Sequence, residues 1–94
     1  MFYEDTAKMK KEVLLQIPAG TDTATAIHIM AKNTFQFSEV VQDDNEFIAH
    51  PHIDYLLFFH DRPGIWSMDR WKAFVIFRNG KVTDVFILFN VIML

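Results

Sequence analysis

The hydrophobic positions of the chain first follow a helical period. Apolar residues recur every four positions from Met9 to Ile17, with charged residues between them, and this spacing puts the apolar side chains on one side of an α-helix. The pattern predicts a first helix over residues 4–16. Pro18 disfavours helical backbone in the residue before it, and Gly20 permits a tight turn after it, so the helix is expected to end there.

A second helical stripe follows this turn. Its apolar members are Ala24, Ile27, Met30 and Ala31. The side-chain oxygen of Thr21 or Asp22 can cap the first turn of such a helix. Asn33 tolerates the left-handed conformation with which many helices end, so the second helix is predicted to end near it.

Strand periodicity replaces the helical period in the second half of the chain. Residues 35–40 alternate between apolar and polar, which predicts a half-buried strand, and the almost wholly apolar run over residues 53–60 predicts a strand covered on both faces. The acidic stretch 42–46 predicts a loop, and a short strand is predicted at 47–49. Pro and Gly punctuation predicts a second loop over residues 61–71.

The last quarter of the chain predicts a β-hairpin. Asn79-Gly80 accepts positive φ at both central positions of a tight turn, and apolar runs flank it. A two-residue loop would pair Phe77 with Val82, Val75 with Asp84, Ala73 with Phe86 and Trp71 with Leu88. The opposite face would then carry Phe74, Ile76, Val85, Ile87 and Phe89. A three-residue loop would shift these pairs by one residue, but the surplus of apolar surface would remain.

Together these elements predict an α+β fold in a single domain, residues 1–94. Two N-terminal helices are expected to pack on an antiparallel sheet of about four strands that ends in the C-terminal β-hairpin. A sheet covered by helices on one side needs only one apolar face. The second apolar face therefore indicates burial against a partner, and the ten Phe of a 94-residue chain point the same way.

Composition narrows the classes of function. The net charge of −3 provides no basic stripe for nucleic acid. The absence of Cys excludes disulfides, thiolate metal ligands and Cys nucleophiles. The longest apolar run, residues 85–94 interrupted by Asn90, is about half the ~20 residues of a membrane-spanning helix. The compartment stays open: cytoplasmic if Met1 is the native start, periplasmic if a signal peptide was removed.

Two short motifs carry a family resemblance. Pro18-Ala19-Gly20-Thr21 at a helix start is similar to a "pGTs" motif, and the hairpin sequence over residues 77–85 is similar to "fxnGkvxdv". Both occur in small bacterial α+β domains related to β-lactamase-inhibitor protein and to the small outer-membrane lipoprotein of the barrel-assembly machinery. The resemblance covers residues 13–89, although the lipid-modified Cys of the lipoproteins is absent. It implies two helices on one face of an antiparallel sheet, with binding rather than catalysis as the task of the sheet and its loops.

His50, His52 and His60 are the candidate metal ligands. Pro51 keeps its neighbours extended, so His50 and His52 would project to the same side about 6–7 Å apart, where two neutral imidazoles can share a metal ion. No third ligand has motif-like spacing, and hydrogen bonding to a nearby carboxylate is the competing interpretation. The sequence contains neither a nucleophile elbow nor a phosphate-binding Gly loop, so it predicts no enzyme and no cofactor.

Aromatic residues near the start of the hairpin provide the remaining candidate site. Trp66 and Trp71 belong to a residue type enriched at protein interfaces, and closure of the core by one or both is the competing interpretation. The sequence predicts a non-enzymatic binding module, a homodimer or one bound to a protein partner. Its predicted interface residues are Trp66, Trp71, Phe74, Ile76, Val85, Ile87 and Phe89. The alternatives are a carrier with a pocket for a small hydrophobic ligand between helices and sheet, and a metal-binding protein that uses the three His.

Overall fold

The computed structural model describes residues 1–42 and 53–93 of the chain. Two helices precede four strands: α1 is Thr6–Gln16, α2 is Thr23–Lys32, β1 is Gln36–Val41, β2 is Asp54–Pro63, β3 is Ser67–Arg78 and β4 is Lys81–Met93. The strands form one antiparallel sheet in the order β1-β2-β3-β4. The predicted α+β fold, with two N-terminal helices and a C-terminal hairpin, is confirmed. The strand predicted at 47–49 lies outside the described residues.

Both helices begin and end close to the predicted positions. Asp5 caps α1, where its carboxylate accepts a hydrogen bond from the backbone amide of Lys8 at 3.1 Å, so this helix begins two residues later than predicted. Asp22 occupies the N-cap position of α2, but its side chain makes no cap bond and pairs instead with Nζ of Lys81. Asn33 ends α2 as predicted.

The segment between β2 and β3 is a second hairpin, and the predicted loop over residues 61–71 is wrong. Both strands extend into this segment and leave a three-residue turn. Ion pairs between the strands stabilise this extension. Arg70 donates two hydrogen bonds to Asp61 at 2.7 and 2.9 Å, and Arg62 donates two to Asp69 at 2.7 and 3.2 Å.

The helices cover one face of the sheet, and the core lies between the two layers. Its members are Met9, Val13 and Ile17 of α1, Ala26 and Met30 of α2, Phe35, and Leu56, Phe58, Trp71, Ala73, Val75, Phe77, Val82, Val85 and Ile87 of the sheet. Burial alternates along β3, where odd-numbered residues from Trp71 to Phe77 are buried and the even-numbered residues between them are partly exposed. Since successive side chains of a strand point to opposite faces, the even-numbered residues lie on the face away from the helices.

A β-bulge at Thr83 sets the register of the C-terminal hairpin. Its turn has the predicted two residues, Asn79 and Gly80, with φ of 53° and 73°, and Phe77 pairs with Val82 as predicted. Beyond the bulge, Val75 pairs with Val85, Ala73 with Ile87 and Trp71 with Phe89. The predicted pairs with Asp84, Phe86 and Leu88 are wrong, because Thr83 is an extra residue in β4 and a one-residue shift exchanges the faces of all later side chains.

The segment before α1 closes one end of the core. Nε1 of Trp71 donates a hydrogen bond to the carbonyl oxygen of Tyr3 at 2.8 Å. The Phe2 ring stacks on the His60 imidazole with centroids 3.7 Å apart, and Nδ1 of His60 lies 3.0 Å from the carbonyl oxygen of Thr34. Neither helix within the described ranges is long and apolar enough to cross a membrane.

Candidate interaction surface

The face of the sheet that the helices leave uncovered is mainly apolar. We define this open face by seven side chains: Tyr55, Leu57 and Phe59 of β2, Phe74 and Ile76 of β3, and Phe86 and Leu88 of β4. Phe86 is 52% and Leu88 39% exposed, and the other five are half-buried. A contiguous apolar surface of this kind on a small domain is a candidate interaction site.

Phe74 lies at the centre of the open face. It pairs with Leu57 of β2 on one side and with Phe86 of β4 on the other. Its ring centroid is 5.3 Å from that of Tyr55 and 6.0 Å from that of Phe86, which is the range of favourable aromatic pairs. These cross-strand contacts restrict the side chains before any partner binds, so the open face is a preformed surface.

An ion pair borders the open face at one end of the strands. Arg70 binds Asp61 through both guanidinium hydrogen bonds described above, and its guanidinium carbon lies 5.4 Å from the centre of the Phe59 ring. The hydrogen bonds from Arg70 hold the pKa of the Asp61 carboxyl below its ordinary value of 3.8, and the same bonds raise the pKa of Arg70. Both groups are therefore ionised at neutral pH and neutralise each other.

Lys72 and Glu39 are two further charged residues of this face. Lys72 pairs with Phe59 and Leu88 in the sheet register, and Glu39 pairs with Leu57. Because cross-strand partners share a face, both charges lie among the residues of the open face. Over residues 1–42 and 53–93, neither has an oppositely charged side chain within 4.0 Å.

Four of the seven predicted interface residues lie on the opposite, helix-covered face. Trp71 and Val85 are 0% exposed and Ile87 is 5% exposed, while Phe89 is half-buried with its ring centroid 4.9 Å from that of Trp71. Placing Trp71, Val85 and Ile87 on an accessible surface is therefore wrong, and Phe89 lies on the helix-covered face rather than on the open one. The bulge at Thr83 exchanges the faces of β4, and Trp71 closes the core instead.

The other three predicted residues are accessible. Phe74 and Ile76 lie on the open face, and Trp66 is 77% exposed in the β2–β3 turn, outside the open face. Their role in an interface stays a prediction. The sequence reasoning missed Tyr55, Leu57, Phe59, Phe86 and Leu88. The unbroken apolar run of β2 contained the signal for the first three, since it places apolar residues on both faces, but nothing in the local pattern revealed the bulge that turns the last two outward.

The metal hypothesis concerns three His, of which only His60 lies within the described residues. Its imidazole ring stacks on the Phe2 ring, and its Nδ1 lies 3.0 Å from the carbonyl oxygen of Thr34. Within the two described ranges, no group of three or more His, Cys, Asp or Glu is placed to hold a metal ion. His50 and His52 lie outside these ranges, so the metal hypothesis stays a prediction.

The carrier alternative requires a pocket between the helices and the sheet. That space contains fully buried side chains, among them Met9, Val13, Met30 and Trp71. A ligand could enter only by displacing packed atoms, because protein interiors have the density of organic crystals. The side chains of the open face, by contrast, are accessible without such a rearrangement.

Comparisons of the chain with protein-family models, with curated proteins and with solved structures find no match. The resemblance to the domains related to β-lactamase-inhibitor protein stays a prediction. A function must therefore be argued from the open face and its chemistry, since the fold class alone does not specify one.

Proposed function

We propose that the chain is a non-enzymatic self-association module, in which the open face packs against the open face of a second copy. The observation that supports this proposal is the row Leu57, Phe74 and Phe86 across three strands, on the side of the sheet without helices. Two sheets that pack face to face lie about 10 Å apart and interdigitate their inner side chains as in a β-sandwich. The second copy would supply the missing layer.

The size of the face fits such a dimer. Four strands about 4.8 Å apart are roughly 19 Å wide, and the ten residues of β2 extend about 33 Å. The product is roughly 600 Å² of flat area, and the relief of the side chains increases the accessible area. A standard interface buries about 800 Å² per partner, so one copy of this face is of the right size for a specific contact with another.

Mass measurement across a dilution series tests the proposal. Interfaces of this size have dissociation constants from the micromolar range downward, so sedimentation equilibrium is expected to show twice the mass of one chain at the highest concentrations. Phe86→Glu puts a carboxylate into the apolar contact of both copies. The desolvation of two carboxylates is expected to weaken the dimer by about 3 kcal/mol or more, which is at least ~100-fold in dissociation constant.

Leu15→Glu is the matched control. Leu15 is a comparably apolar residue, 81% exposed on α1, and it lies outside the open face. The same change from an apolar side chain to Glu is expected to leave the dimer unchanged there. A wild-type chain that is monomeric at every concentration would refute the proposal, as would equal weakening by the two substitutions.

A further inference from the structure

The charges of the open face determine how two copies can fit together. Asp61 and Arg70 satisfy each other, whereas Lys72 on β3 and Glu39 on β1 have no ion-pair partner within the described part of the chain. Lys72 and Glu39 are thus an unmatched cation and an unmatched anion of this face, on different strands. In a dimer with two-fold symmetry, any contact between the cation of one copy and the anion of the other is formed twice.

Lys72 cannot be covered by an apolar surface without a penalty. Its nearest cross-strand partners are Phe59 and Leu88, so a second sheet packed on them would remove water from the ammonium group. An unpaired buried charge is costly, whereas a carboxylate at hydrogen-bond distance offsets that penalty. Lys72 also lines a depression of about 210 Å³ with Ser38, Leu57, Phe59 and Arg70, which is open to a side chain from a partner.

We infer that Glu39 of each protomer pairs with Lys72 of the other, an inference that rests on the proposed self-association. A two-fold axis parallel to the strands, between β2 and β3, superimposes all four strands and puts the partner's β1 over β4. The partner's Glu39 then lies over β4, one strand away from Lys72 and two residues further along the strand direction. The backbones of the two residues are about 8 Å apart when measured in the plane of the sheets. The two long side chains span this distance and the gap between the sheets. The occupant of the open face is therefore a second copy of this chain, held in one register by two equivalent ion pairs.

A charge-reversal cycle tests this pairing by sedimentation equilibrium at low ionic strength. Glu39→Lys and Lys72→Glu each put like charges together at two places in the dimer, and each is expected to raise the dissociation constant about tenfold or more. The double variant restores opposite charges with exchanged sides and is expected to return within about threefold of the wild-type value. Lys11→Glu, at an exposed residue of α1, makes the same change in net charge as Lys72→Glu and is expected to have no effect.

The outcomes separate this inference from the proposed function. If the wild-type chain dimerises but the effects of the single reversals simply add in the double variant, the Glu39–Lys72 pairing is wrong and self-association stands. If the wild-type chain stays monomeric, both are wrong. Circular dichroism confirms that each variant folds. If a charge reversal does not fold, Glu39→Gln and Lys72→Gln replace the reversals. A true pair then predicts smaller losses of dimer affinity that are not additive in the double variant.

Discussion

Trp71→Phe tests the assignment of Trp71 to the core rather than to an interface. The indole is 0% exposed and donates its N–H to the carbonyl of Tyr3 at 2.8 Å. Phe is smaller by roughly 40 Å³, and a cavity of that size costs about 1 kcal/mol at ~24 cal/mol per Å³. Loss of the hydrogen bond costs about another 1 kcal/mol, and the smaller apolar area about 1 kcal/mol more. The expected loss in free energy of unfolding is therefore about 3 kcal/mol.

Urea unfolding followed by circular dichroism measures this loss, with all chains at the same concentration because self-association adds to stability. For a domain of this size, a loss of about 3 kcal/mol lowers the melting temperature by roughly 12–24 °C. Trp66→Phe is the matched control: Trp66 is 77% exposed, so the same chemical change there is expected to stay within about 0.5 kcal/mol. Equal losses for the two substitutions would refute the assignment.

The remaining predictions concern a turn and an ion pair. Gly80→Ala is expected to lower the free energy of unfolding by about 1 kcal/mol in urea unfolding, because φ is +73° there and a Cβ would meet no atom within 4 Å, which leaves backbone strain as the cause. Asp61→Asn is expected to lower the melting temperature equally at pH 7 and pH 5 and less below pH 3.8. Because the pKa of Asp61 is lowered in the folded state, its ionised carboxylate stabilises the fold fully above the ordinary carboxyl pKa, and this stabilisation is lost as pH falls through the pKa of the folded state. A difference in melting temperature between wild type and variant that stays constant down to pH 2 would contradict this.

The sequence predicted the turn of the C-terminal hairpin but not its register. Asn79-Gly80 has the positive φ values that its residue types favour, because turn conformation is a local property. The bulge at Thr83 depends on contacts with distant residues. Val82, next to it, exchanges backbone hydrogen bonds with Gly20 and Thr21, each 2.8 Å long, in the turn between the helices. No periodicity within β4 contains that information.

The sequence of the β2–β3 hairpin contains a signal for its strand pairing. Asp61-Arg62 is followed by Asp69-Arg70, and antiparallel pairing of these dipeptides puts each acid opposite a base. Pro63-Gly64 punctuation is typical of loops, and the loop prediction rests on it. Opposite charges in cross-strand positions stabilise a strand pair. The order of acidic and basic residues therefore predicts strand pairing here, although their polar character alone is typical of a loop.

The register correction changes which residues face outward but leaves the surplus of apolar surface in place. It replaces Val85, Ile87 and Phe89 with Phe86 and Leu88 on the open face, beside the side chains of β2. Association through the edge of β4 is the competing way to satisfy this strand, since an unpaired edge can extend into another chain.

The first part of the β4 edge is already occupied. Val82 is bonded to the turn between α1 and α2, and the amide of Val85 donates to its neighbour Asp84 at 2.8 Å, whose carboxylate also pairs with Lys10 of α1 at 3.4 Å. A continuous ladder along β4 would have to break these contacts, whereas face-to-face packing leaves them intact. The two modes also differ in their response to substitution, because Phe86→Glu adds a charge to the face while the backbone groups of the edge are unchanged. The contacts of the β4 edge therefore favour the open face over the edge as the route of the proposed self-association.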